Sequence, residues 1–157
     1  MTTFAVCPKR KVAPSREAVT SARLVANPGC YATGAIAILR PLVDAGLLPP
    51  DYPLSINAVS GYSGGGRQMI EAYEAHRAPL FELYALGLGH KHLPEIVTYG
   101  RLARPPIFVP SVGNFREGMI VSVPLHLDRL PGQPSGADLE GVFRAHYASA
   151  DYVRVTS

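Results

Sequence analysis

Apolar positions recur along this chain with two periods, one near 3.6 residues and one of two. The first governs Thr33 to Gly46, where Ile36, Leu39 and Val43, with Leu47 just beyond, fall on one face of a helix. Before it come the short apolar run Leu24-Val25-Ala26 and the breaker Asn27-Pro28-Gly29, so the order predicted is strand, sharp turn, helix. Gly46 and the pair Pro49-Pro50 close that helix, and Leu54 to Val59 alternates apolar and polar as a half-buried strand does. A glycine loop follows, Ser60-Gly61-Tyr62-Ser63-Gly64-Gly65-Gly66, and then a helix from Arg67 to His76 carrying Met69, Ile70 and Tyr73 on one side.

Further along, Phe81 to Leu88 reads as extended. Pro94 in His90-Lys91-His92-Leu93-Pro94-Glu95 suits the first turn of a short helix reaching Tyr99. Ile107 to Val109 predicts a brief strand, and Met119 to Leu127 the clearest one, because every odd position is apolar while Ser122 and His126 fall on the other face. Pro124 within it removes a ladder donor and argues for an edge or a bulge. Ser135 and Asp138 have capping-box spacing ahead of Leu139, Val142, Phe143 and Tyr147, a helix that leads to a terminal strand at Tyr152 to Val155. Strands and helices mix without a regular βαβ repeat. The fold expected is α+β, a mixed, largely antiparallel sheet with helices packed on one face.

Composition narrows the function more than the fold. The 157 residues are 47% hydrophobic and 17% charged, which suits one globular domain over residues 21–157 behind an irregular arm at residues 1–20. A net charge of +3 suits a phosphorylated or carboxylated small molecule without demanding a polyanion. The cluster Lys9-Arg10-Lys11 has no interleaved aromatic residues, so nucleic acid is not the expected partner. Cys7 and Cys30 are too few for a disulfide framework, and neither a signal peptide nor a long apolar span is present, so a reducing, cytoplasmic setting without membrane insertion is expected.

The candidate chemistry centres on Cys30, at the turn that launches the first helix. Unpaired backbone N–H groups and the positive end of the helix dipole favour thiolate over thiol there, and the same N–H groups suit an oxyanion. From spacing alone a lone cysteine such as Cys30 is also read as a small buried hydrophobe, and Cys7, without this context, as a bystander. His90 and His92 alternate, so on an extended segment only one faces the thiolate, as base and later as acid. His-x-His is a metal spacing too, but no third ligand clusters with it, and no metal is expected. Glu95 either orients an imidazole or caps the helix at Pro94. The bare backbone of Gly61 to Gly66 suits close approach of a substrate or a nicotinamide, or is a plain turn. Arg67, beside that loop, ranks above Arg101, Arg104 and Arg116 as an anion clamp. His76, His126 and His146 lack a supporting constellation.

Together, Asn27-Pro28-Gly29-Cys30-Tyr31-Ala32-Thr33-Gly34, the Ser60 to Gly66 loop and the His90 to Glu95 motif resemble the N-acetyl-γ-glutamyl-phosphate reductase family in its shorter, second type. The likeness runs from about Arg23 to Val155. It departs at Ala32, where the family usually has Pro, and at Leu93, where many members have Thr. The resemblance implies a semialdehyde-dehydrogenase-like catalytic and dimerisation domain that forms a homo-oligomer. It further implies NADP(H)-dependent reductive dephosphorylation of an acyl phosphate to N-acetylglutamate semialdehyde, in arginine biosynthesis. Cys30 is then the nucleophile, with His92 the favoured acid/base and His90 next. Asn27, Ser60, Gly61, Ser63, Arg67 and Glu95 are then candidates to line the substrate and cofactor pocket. The family's Rossmann segments have no counterpart here, so NADP(H) is expected to be bound mainly outside this chain and the isolated chain to be inactive as a reductase. Alternatives are a relative acting on carrier-linked aminoadipyl or glutamyl phosphate, a non-catalytic oligomerisation module, and, less well matched, a cysteine peptidase.

Overall fold

The computed structural model describes residues 4–6 and 20–156. Within them Phe4–Val6 forms β1, which pairs in parallel with β2, Leu24–Ala26. The rest of the expected arm, with Cys7 and the Lys9 to Lys11 cluster, lies outside the described residues.

The Asn27-Pro28-Gly29 break turns the chain directly into α1, Cys30–Asp44. This helix starts three residues before the periodic pattern does, because Gly29 is extended and Thr33 closes the first turn. The backbone N–H and the hydroxyl of Thr33 both donate to the Gly29 carbonyl, at 2.9 and 3.0 Å. Pro41 lies inside α1 and has no N–H to offer the Ala37 carbonyl one turn back; the Tyr147 hydroxyl donates to that carbonyl instead, at 2.6 Å. Gly46, at φ 73°, ends the helix in the left-handed conformation that glycine adopts without strain.

β3, Ser55–Gly61, is a central strand. A 3-10 turn at Tyr62–Gly65 and α2, Arg67–Glu74, follow it, and β4, Phe81–Leu83, is short. The extended run expected as far as Leu88 stops at Leu83, and the chain turns through Ala85 and Leu88, both with positive φ. Then come α3, Leu93–Gly100, β5, Ile107–Gly113, and β6, Met119–Ser122. The sheet order is β4-β5-β3-β6, with β3 and β5 parallel and both edge strands antiparallel to their neighbours. This is the mixed α+β architecture expected.

β5 is longer than its pattern suggested because Pro110 does not end it. Pro110 offers its carbonyl to Tyr84, on the β4 side, so its missing N–H falls where β4 pairing has already stopped, while the ladder to β3 runs on to Gly113. β6 is shorter than expected. Pairing ends at Ser122, although Val123, Leu125 and Leu127 continue to pack on the core, so the alternation outlasts the ladder and Pro124 lies beyond the edge strand. The terminal strand expected at Tyr152 to Val155 does not form.

One sheet face carries Ile56, Ala58 and Phe108 into a core with Tyr31, Ala35, Leu39 and Leu42 of α1 and Ile96 of α3. α4, Gly136–Tyr147, begins with the capping box read from sequence, Ser135 accepting from the Asp138 N–H and Asp138 from the Ser135 N–H. Its Leu139, Val142 and Phe143 pack on the same core. α1 and α3 lie side by side in the same direction. At their C-terminal ends Arg40 Nη1 donates to the Tyr99 carbonyl at 3.1 Å and Arg101 Nη1 to Asp44 at 2.8 Å, so both helix starts meet at the other end.

Candidate active site

Cys30 is the first residue of α1 and is exposed. The helix start around it carries no side-chain cap and no acidic residue in its first turn. Nothing in α1 itself therefore competes for the first-turn N–H groups, which suits them to receive negative charge on a bound carbonyl oxygen.

The imidazole that meets this turn belongs to His92. A Cβ built on Gly29 would overlap the Cδ2, Nε2 and Cε1 edge of the His92 ring, so the ring seats itself against the backbone immediately before Cys30. Only glycine permits that approach. His92 is buried, and its Nδ1 has no hydrogen-bond partner among the described residues. His90 is close by, its ring centroid 4.6 Å from that of His92 in an edge-to-face arrangement. The extended segment on which the two rings were expected to point to opposite sides does not form here. Residues 90–93 form a turn closed by the Leu93 N–H on the His90 carbonyl at 3.0 Å, not an extended segment, and the turn brings both rings together. The His92 N–H donates to His90 Nδ1 at 3.2 Å, so neutral His90 carries its proton on Nε2.

Burial lowers both histidines below the ordinary histidine range. For His90 the neighbouring His92 and Lys91 add to the effect; for His92 the Glu95 charge pulls the other way and Lys91 again lowers it. Both rings are therefore neutral at pH 7 and able to accept a proton. Glu95, in the first turn of α3, accepts the Gly29 N–H on Oε2 at 3.0 Å.

Behind Cys30 lies a hydroxyl cluster of which the sequence had pointed only to Ser60. The buried Tyr31 hydroxyl donates to the Ser111 carbonyl at 2.7 Å and lies 3.0 Å from the Ser60 hydroxyl, and Ser111 Oγ donates to the Ala58 carbonyl at 2.8 Å. Burial, together with Tyr31 and Cys30, pushes the Tyr84 phenol well up, so it stays a neutral donor. Tyr31 sits within the cysteine motif and Tyr84 in the run expected to be extended after Phe81, and neither was given a role from sequence. A hydroxyl whose partners come from distant strands leaves no periodic trace.

Ser60, at the end of β3, thus joins the site, and so does the loop after it. The loop is braced from the far side, Gly61 N–H donating to the Gly118 carbonyl at 2.9 Å and Ser63 N–H to the Arg116 carbonyl at 3.1 Å. Gly61 is buried there, and a Cβ on it would lie 2.5 Å from the Arg116 carbonyl oxygen. Arg67 is placed otherwise. Its side chain is 91% exposed and its Nε bonds Glu71 at 2.8 Å. Asn27 is exposed on the approach to Cys30. Among the described residues no group of three potential ligands could hold a metal ion, and no helix is long and apolar enough to cross a membrane.

Residues 30–157 match the family model for the semialdehyde dehydrogenase dimerisation domain. The chain is 58% identical over 145 residues to a protein of Brucella ovis named N-acetyl-gamma-glutamyl-phosphate reductase, an alignment covering 89% of this chain and 47% of the relative. Proteins of the same name from Brucella canis and Brucella abortus match with the same identity and coverage. The chain therefore spans about half the length of the curated relatives it matches.

Proposed function

Because the chain belongs to the semialdehyde dehydrogenase dimerisation-domain family, we propose that it is the catalytic and dimerisation part of an N-acetyl-γ-glutamyl-phosphate reductase. The reaction proposed is NADPH-dependent reductive dephosphorylation of the acyl phosphate to N-acetyl-L-glutamate 5-semialdehyde, a cytoplasmic step of arginine biosynthesis. The observation that carries this reading is the seating of the His92 ring on Gly29, which puts a neutral imidazole beside an exposed cysteine at a helix start.

In this reading His92 takes the thiol proton, and Cys30 Sγ attacks the γ-carbonyl carbon. First-turn N–H groups of α1 stabilise the oxyanion until the C–O bond to phosphate breaks and a Cys30 thioester remains. His92 passes that proton to the departing phosphate, which leaves as hydrogen phosphate, and the sulfur, released as thiolate when the aldehyde leaves, regains a proton from solvent through His92, with His90 fixing the turn that presents the ring. Asn27, Ser60 and Ser63 line the approach.

The residues present fit one end of the cofactor. The exposed backbone at Gly64 and Gly66 beside Ser60 suits close approach of the flat nicotinamide ring, since a Cβ at Gly64 would meet only Ser60 and one at Gly66 nothing within 4 Å, while Gly65 between them is backed by Met69. A dinucleotide-binding G-x-G-x-x-G does not occur in the sequence, so the remainder of NADP(H) is assigned to another part of the enzyme. When bound, NADPH supplies the hydride that reduces the thioester to the aldehyde.

Acyl transfer needs no cofactor and can be read by intact mass. Mixing the purified chain with N-acetyl-γ-glutamyl phosphate should add one N-acetylglutamyl group, absent in Cys30→Ser and formed roughly 10²-fold more slowly in His92→Gln. An unmodified parent chain under these conditions would refute the proposal.

A further inference from the structure

Glu95 occupies the third helical position of α3, from which a capping-box carboxylate ordinarily reaches back to the N–H of its own N-cap residue. Here the N-cap is His92, and its N–H is already taken by His90 Nδ1 at 3.2 Å. The carboxylate reaches across to another helix, accepting the Gly29 N–H at 3.0 Å from 66 residues away in sequence. Gly29 is the residue whose missing side chain admits the His92 ring. One carboxylate, in the first turn of the helix that follows the histidine, thus holds the Pro28–Gly29 peptide immediately before the cysteine.

We propose that Glu95 is a positioning residue, which clamps the Gly29–Cys30 turn to the start of α3 and places a negative charge beside the His92 imidazole. The assignment rests on Cys30 and His92 acting as nucleophile and base. A carboxylate serving only the α3 dipole would need no bond to Gly29, whereas this bond fixes the approach of Cys30 to His92. The charged and titratable groups around His92 are Glu95 and Lys91 from its own segment, His90 at 4.6 Å, Cys30 and Tyr31 at the start of α1, and Tyr84 behind His90 at 5.9 Å. Glu95 is the carboxylate among these groups. It opposes the burial that drives His92 toward the neutral form.

Two variants separate the clamp from the charge. Glu95→Gln keeps an oxygen for the Gly29 N–H and loses the charge, while Glu95→Ala loses both. In a Cys7→Ser background, the rate of Cys30 alkylation by iodoacetamide reports the clamp, and the His92 ring resonances followed by NMR against pH report the charge. Glu95→Gln should lower the His92 midpoint by roughly half to one pH unit, with alkylation within about threefold of the parent because the acceptor remains. Glu95→Ala should give the same midpoint shift and slow alkylation about tenfold. If His92→Gln slows alkylation while both Glu95 variants leave midpoint and rate unchanged, the clamp is overturned and the Cys30–His92 reading stands. If His92→Gln leaves alkylation unchanged, that reading falls and the clamp with it. Should Glu95→Ala fail to fold by circular dichroism, the Glu95→Gln midpoint decides alone, an unmoved midpoint overturning the proposal.

Discussion

A methyl group at residue 29 has nowhere to go, because the His92 imidazole already fills the space a Cβ would need. Gly29→Ala must displace the ring, shift the turn, or both. The expected loss is about 1–3 kcal/mol of stability, typical of overpacking a well-filled site, together with slower acylation of Cys30 than the stability loss explains. Urea denaturation and acylation rates measured on the same variant test this. Gly141→Ala is the control. It lies in α4 with nothing within 4 Å of its added Cβ, so it should gain up to about 1 kcal/mol through helix propensity. The same glycine shows how far the site could be read beforehand. Cys30 at a helix start and the histidine pair followed from residue types and spacing, since a Pro-Gly turn and an apolar helix are local signals. That both rings would share one side did not follow, because alternation presumes an extended backbone and a turn occupies residues 90–93. Tyr31 and Tyr84 reach the site through contacts between elements distant in sequence, which local patterns do not encode.

Among the elements, α1 carries a defect that another helix repairs. Pro41 leaves the Ala37 carbonyl without its helical donor, and Tyr147, brought by the apolar face of α4, supplies one at 2.6 Å. Burial holds the Tyr147 phenol above its ordinary range, so it remains a donor across the usable pH range. Tyr147→Phe should therefore cost about 1–2 kcal/mol, the price of an unpaired, partly buried carbonyl, and leave Cys30 acylation unchanged. Pro41→Ala gives the backbone its own donor, so the cost of Tyr147→Phe should shrink in that background; equal costs in both backgrounds would mean that the hydroxyl does not stand in for the missing N–H. The periodicity of α4 and its capping box made that helix legible, and Tyr147 was visible on its apolar face. Its partner was not. Strand lengths were misjudged for a related reason. β5 runs through Pro110 because the missing N–H falls beyond the reach of β4, and β6 stops while its alternation continues, both settled by neighbouring strands and not by the residues themselves.

At the scale of the whole molecule, helices pack on one side of the sheet among the described residues, and on the other Phe115 and Arg116 cover only the end that carries Gly61 and Gly113. The register aligns Leu83, Ser111, Val59 and Ile120 in one row across all four strands on the face opposite α1, with Phe81 and Ile107 on the same face. Ile120 is 68% exposed, Phe81 57% and Ile107 54%. Exposed apolar side chains grouped on one face in this way, here interrupted by the buried Ser111, are uncommon on a protein that works alone, and a second copy meeting them through a twofold axis would bury the same residues from both chains. Whether a second copy packs on this face is decided by Ile120→Asp. An isolated exposed side chain contributes little to the stability of its own chain, within about 0.5 kcal/mol, so the fold should survive. Two like charges brought together across a twofold interface should not be tolerated, so light scattering during size-exclusion chromatography should report twice the chain mass for the parent and a single chain for the variant. The urea midpoint of the parent should rise with protein concentration, and that of Ile120→Asp should not. A variant that stays dimeric would assign the contact to a different surface and leave the open sheet face to another partner.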